Sequence, residues 1–364
     1  MRIAIHTLLV TTALASGCRI GFDSNPADET TASDAAPDDT APVLDSPTTP
    51  AKISALRRAT QVEVGGSVNR LLINGSIMYA ATTRPTTQLV VFDISSGTPI
   101  EIGQAITAGA ARNLAIAGQR LYVTTATGGD DLEVFDISNP AIPSKILGIP
   151  AADTANGVAV NNGRAYVTSN SLGDDLEIFD VGDPTSITKL GGLNLVNVQY
   201  VNALQFNGNQ LYVAGQRFAA VDVAVPSAPR PLSDFGFYWY ARDLQVVGNR
   251  AYALEDNNNN SDQLRIFDLS NALAPVQIGA GRLYDSYGRG IAIAGRYAFT
   301  VCAPQTNAGG EIEVFDVSGT GVPPLVARAS LGTDGLAIAV QGTRAFVGLA
   351  NNSGPEIVVF DILP

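Results

Sequence analysis

Three arginines, Arg112, Arg242 and Arg289, stand at the start of short apolar runs that recur along the chain. Asn69, Asn156, Asn202 and Asp334 hold the corresponding places in other runs, and Arg70, Asn113 and Asp243 lie next to them. A guanidinium is suited to bidentate capture of a carboxylate or phosphate, so these positions could hold an anion if the fold gathers them. They could equally line a wet channel without a ligand. The second chemistry-bearing feature is aromatic. The segment 233–243, SDFGFYWYARD, contains Phe235, Phe237, Tyr238, Trp239 and Tyr240, with Tyr200 upstream and Tyr284 and Tyr287 downstream. Exposed together, such rings would form a recognition patch; alternating inward, half of them would be strand core.

Much other chemistry is missing. The only histidine is His6, in an amino-terminal segment with the form of an export signal, so the mature chain holds none. That excludes Ser-His-Asp and Cys-His catalysis, His-ligated zinc and a histidine proton shuttle. Cys302 is the one thiol beyond Cys18, and after an apolar strand it reads as inert and half-buried. Paired carboxylates alone can hydrolyse glycosides, with Asp243, Asp285 and Asp334 as candidates, although no spacing selects them. Calcium is a weak alternative, from Gly129-Asp130-Asp131, Gly173-Asp174-Asp175 and the DNNNNSD run at 256–262. No EF-hand spacing accompanies them, and Gly-Asp-Asp is ordinary turn chemistry, so no cofactor is expected. A formal charge of −12 disfavours nucleic acid.

The elements that must position these residues repeat. An aromatic recurs at Tyr79, Tyr122, Tyr166, Tyr212, Tyr252, Phe299 and Phe346, each followed by an apolar run ending in Asp. Those aspartates are Asp93, Asp136, Asp180, Asp222, Asp268, Asp316 and Asp361, spaced by 43, 44, 42, 46, 48 and 45 residues. Each unit reads as four short strands separated by Gly, Asn-Pro or Gly-Asp turns. In the second unit these fall near Asn113–Ala117, Arg120–Thr125, Leu132–Ile137 and Lys145–Ile149. Four-stranded units of this length predict an all-β protein, a seven-bladed β-propeller over residues 52–364. The last unit stops after its third strand. Ala55–Gly65 resembles a fourth strand and is expected to close the ring.

Repetition separates scaffold from site. An aspartate present in every unit caps its turn, and the repeated aromatic fills the space between blades. The aromatic-to-Asp spacing varies, at 14 in units one to three and then 10, 16, 17 and 15. The varied loops share a face with those entering each inner strand, where the arginines and the 233–243 aromatics lie; insertions on one face often mark a binding face.

Two resemblances follow from these residues. Leu89-Val90-Val91-Phe92-Asp93 and Ile357-Val358-Val359-Phe360-Asp361 resemble the LVIVD repeat of bacterial secreted and surface propellers, which implies architecture and is nearly silent on activity. Phe in place of an aliphatic residue before Asp is a departure expected to alter core packing only. Residues 1–17, ending Ala15-Ser16-Gly17, resemble a bacterial lipoprotein signal with Cys18 as the lipidated residue, although Leu14 sits one place early. Residues 18–51, Pro- and Thr-rich with seven acids, read as a disordered tether spanning on the order of 30 Å. A pyrroloquinoline-type propeller repeats Trp, and one Trp excludes that reading. The expected function is a lipid-anchored, non-enzymatic module at the bacterial cell envelope. Arg19 after the anchor favours the outer membrane or cell surface. Its partner would be a protein, peptide or glycan; the alternatives are a carboxylate-dependent polysaccharide hydrolase or lyase, and a purely structural envelope component.

Overall fold

Alternating strand formers and glycine turns build each unit as an antiparallel meander. The computed structural model describes residues 49–364 except 127–128, 152–153, 170–172, 184, 196–199, 237–239, 257–262, 285, 305–308 and 352–353. The signal-peptide reading and residues 18–48 of the tether lie outside the described residues. In the second unit the strands are Ala111–Ala117, Arg120–Thr125, Leu132–Asp136 and Ser144–Ile149, within two residues of expectation. The described residues form seven four-stranded sheets and no helix. In every blade the turn between the first two strands carries a glycine at positive φ, between 54° and 68°. A side chain is strained there, so the high glycine content is partly this one position repeated seven times.

First strands of neighbouring blades contact one another all the way round, which makes them the innermost layer of a closed ring. Closure is as expected. Ala55–Val62 pairs antiparallel with Ile357–Leu363, from Ala55 opposite Leu363 to Val62 opposite Ile357. Glu356, buried in the last blade, accepts hydrogen bonds from the Val64 and Gly65 amides at 2.7 and 3.1 Å and locks the exit of that strand. The position before the third strand does the same in four other blades. Gln88, Asp131, Asp175 and Gln263 accept from the amides of Thr107, Ala151, Leu195 and Leu283.

The core is a set of seven seams between blades, one apolar cluster per seam. Each contains the second-strand aromatic of one blade and the residue before the turn aspartate of the next. Tyr79 with Phe135 is one such pair, and Phe346 with Phe92 closes the circle. All seven repeated aromatics are buried. Where blade four has Val221 in place of Phe, Phe206 packs edge-on to Tyr166 at 4.8 Å and completes that seam. The next seam gains Phe218, stacked between Tyr212 and Phe267. Outside the core, glycine again matters: a Cβ on Gly279 would lie 2.6 Å from the Gly321 carbonyl of the following blade.

The turn aspartates behave as caps in six blades. Asp93, Asp136, Asp180, Asp222, Asp268 and Asp316 each accept from the amide two residues on. The Ser95 and Ser138 amides hold Asp93 and Asp136 below the usual carboxylate range. The seventh, Asp361, faces the closing strand and pairs with Arg57 at 2.6 Å.

Candidate functional site: the channel mouth

A register shift recurs at the start of the inner strands, where one extra residue is bulged out of the pairing with the second strand. The bulges are at Asn69, Arg112, Arg242, Arg289 and Leu336, and another spans Asn156-Gly157. Bulges re-aim side chains. Here they bring residues from successive blades to one cavity of about 410 Å³. It is lined by Asn69, Arg70, Arg112, Asn113, Asn156, Tyr200, Asn202, Arg242, Arg289 and Leu336. Ring geometry thus assembles the predicted polar annulus. Two members are corrected: Asp243 is buried behind Arg70, and Asp334 does not line the cavity, where Leu336, at the bulge, takes its place. Asp334 instead uses its carbonyl to accept from the Ala350 amide.

The asparagines are also staples between blades. Asn69 and Asn202 donate through Nδ2 to the Ala111 and Ala241 carbonyls of the next blade, both at 2.9 Å. The arginines are organised by carboxylates. Arg70 donates to Asp243 Oδ1 at 2.8 Å, and Asp243, buried, also accepts from the Leu244 and Ile291 amides. Arg112 donates to Asn156 Oδ1. Arg242 and Arg289 share one oxygen, Asp256 Oδ2, at 2.7 and 3.1 Å. Among the described residues, four guanidiniums meet two carboxylates here. The mouth is therefore locally cationic on an acidic protein.

The aromatic residues divide. Tyr200, 46% exposed, lines the cavity and meets Tyr240 edge-on, with ring centroids 4.8 Å apart. Tyr200 has φ +57°, a left-handed conformation costly for a bulky side chain. Tyr287 lies 5.8 Å from the Arg289 guanidinium. Tyr284 is 60% exposed but sits under Arg328, 4.3 Å from ring centroid to guanidinium, and does not line the cavity. Phe235 lies in the outer strand of blade four, opposite Phe218. Phe237, Tyr238 and Trp239 lie outside the described residues, as does Asp285.

The remaining sequence candidates are held in the scaffold. Asp130 and Asp174, weighed as a calcium alternative, bind Lys145 and Lys189 at 2.7 and 2.9 Å. Those lysines also reach the buried Glu133 and Glu177. Asp131 and Asp175 accept backbone amides, as described above. Asp256, the first residue of the DNNNNSD run, is the counter-charge of two arginines, and residues 257–262 are outside the described set. Among the described residues no three acidic, Cys or His side chains are grouped to hold a metal. Cys302 is fully buried rather than half-buried, with Sγ bonded to the Glu311 backbone. Sequence reasoning missed Asp256 as part of the mouth. The hairpin register that sets Tyr240 opposite Asp256 was the signal that could have placed it beside Arg242.

A family model for the LVIVD repeat matches residues 108–147, which run through blade two. The match falls on the unit with Leu132-Glu133-Val134-Phe135-Asp136, whereas the sequence likeness was strongest in units one and seven. No curated protein matches this sequence. Among solved structures, the chain is similar to the computationally designed Ika8 protein, with 13% identity, 86% of this chain and 98% of the other covered, and TM-score 0.60. It is similar to a chain of Kuenenia stuttgartiensis hydrazine synthase, with 16% identity, 83% and 97% covered, and TM-score 0.62. The WD40 β-propeller domain of Doa1 aligns at 11% identity, 84% and 96% covered, with TM-score 0.59. At these identities the likeness is one of fold. The matched blade and its six structural equivalents together make the propeller.

Proposed function

We propose that this LVIVD-repeat propeller is a non-enzymatic binding module of the bacterial cell envelope, anchored through a lipidated Cys18. Its partner, a protein, peptide or glycan, engages the channel mouth. The carrying observation is the convergence of Arg70, Arg112, Arg242 and Arg289 with the Tyr200–Tyr240 pair on one cavity. Tyr200 keeps a strained backbone and an exposed ring, a combination that stability alone does not favour. Asp243, one of the two described candidates for a hydrolase carboxylate, is tied to Arg70 and two amides, which favours binding over hydrolysis.

Tyr200→Gly tests this reading. Glycine relieves the left-handed strain, so thermal stability is expected to hold or rise by about 1 kcal/mol. Capture of partner from envelope extract is expected to fall at least tenfold, and Tyr240→Ala should show a similar loss. Undiminished capture by both folded variants would leave the mouth without a binding role and favour a purely structural component.

A further inference from the structure

Deepening the binding reading above, and resting on it, we infer that the mouth takes the carboxylate of an acidic saccharide residue, a uronic acid at a chain end. Arg242 and Arg289 converge on the same oxygen of Asp256, so two guanidiniums share one negative charge. Within this group of three, one positive charge is left over. The Nε–H of Arg289 is buried and has no acceptor among the described residues. A second carboxylate would complete this group, since arginine forks match carboxylates in geometry and charge.

The rest of the lining selects the body that carries the carboxylate. Leu336 is its one aliphatic side chain, so a peptide's apolar side chains find little there. Asn69, Asn113 and Asn202 offer polar edges suited to hydroxyl groups, and the exposed Tyr200 ring offers a flat face for a sugar. A cavity of about 410 Å³ admits the end of a chain, with the remainder leaving toward solvent.

Calorimetric titration of the full chain with trigalacturonate tests the assignment, beside its methyl ester and a triglutamate peptide. Trigalacturonate is expected to bind, with the ester and the peptide at least tenfold weaker. Arg289→Lys, which keeps the charge but loses the fork, should weaken trigalacturonate at least tenfold with an unchanged melting temperature. Asp256→Asn should tighten it severalfold by removing the competing carboxylate. Equal binding of the ester or the peptide, no binding of trigalacturonate, or indifference to Arg289→Lys would overturn the inference. The envelope capture assay separates the two levels. If trigalacturonate fails while Tyr200→Gly still abolishes capture, the saccharide assignment falls and the binding module stands.

Discussion

Deletion of residues 52–66 is expected to abolish the single cooperative melting transition of the propeller. These residues supply the outer strand of the last blade, and their loss does more than remove hydrogen bonds. Ile53 and Val64 leave two of the apolar clusters, and the buried Glu356 carboxylate loses the two amides that satisfy it. Arg58 no longer bridges to the Ser330 and Leu331 carbonyls of blade six. The strand Ile357–Leu363 becomes an open apolar edge, a template for aggregation. A buried carboxylate without donors costs several kcal/mol by itself, against a total stability on the order of 5–15 kcal/mol. Calorimetry of the truncated chain should therefore show a broad, weak transition with aggregation. A transition matching the full chain would mean that the ring does not depend on this closure.

Glu313→Gln is expected to stabilise the protein above neutral pH by about 3 kcal/mol and to flatten its stability profile between pH 5 and 8. Burial pushes the Glu313 carboxyl up to about 7, from an ordinary value of 4.5. The Tyr284 amide, Glu311 and Arg328 only modify that shift. Between those two values the folded chain holds a proton that the unfolded chain has released. Stability from this group is thus complete below about pH 4.5 and is lost as pH rises through 7. A shift of this size corresponds to about 3 kcal/mol, and Gln, which does not ionise, removes the dependence. Burial also raises Glu133 and Asp175, adding slope of the same sign. The turn aspartates Asp93 and Asp136 shift downward, so their effect lies at lower pH, outside this window. Denaturant melts from pH 5 to 8 on both proteins provide the check, and parallel curves would remove Glu313 as the cause.

The architecture was readable from sequence because each blade repeats the same physical solution. A Tyr or Phe marks the seam and an Asp marks the turn. Seven copies of that pair specify the ring, and Ala55–Gly65 could be matched to a missing strand by likeness to Leu325–Gly332. The mouth was readable in part. Arg112, Arg242 and Arg289 stand at equivalent places before or within inner strands, so ring geometry alone gathers them. Leu336 was missed because a bulge shifts the lining position by two residues from Asp334, and nothing in the apolar run Gly335–Val340 marks where the bulge falls. Asp256 was hidden by its neighbours, since an Asn-rich run suggests a loop ligand and conceals a hairpin end. Tyr284 was misjudged for another reason. Its exposure is real, but Arg328 from the outer strand covers its ring, and such cross-strand partners are invisible without register.

Hydrogen–deuterium exchange across the propeller, with and without the envelope fraction that it captures, tests most directly whether the channel mouth is the binding face. The expected result is protection confined to the segments around Asn69–Arg70, Arg112–Asn113, Asn156, Tyr200–Asn202, Tyr240–Asp243 and Tyr287–Arg289. The glycine turns of the opposite face, at Gly75, Gly118, Gly163, Gly208, Gly248, Gly295 and Gly342, should exchange unchanged. Protection at those turns with none at the mouth would contradict the assignment.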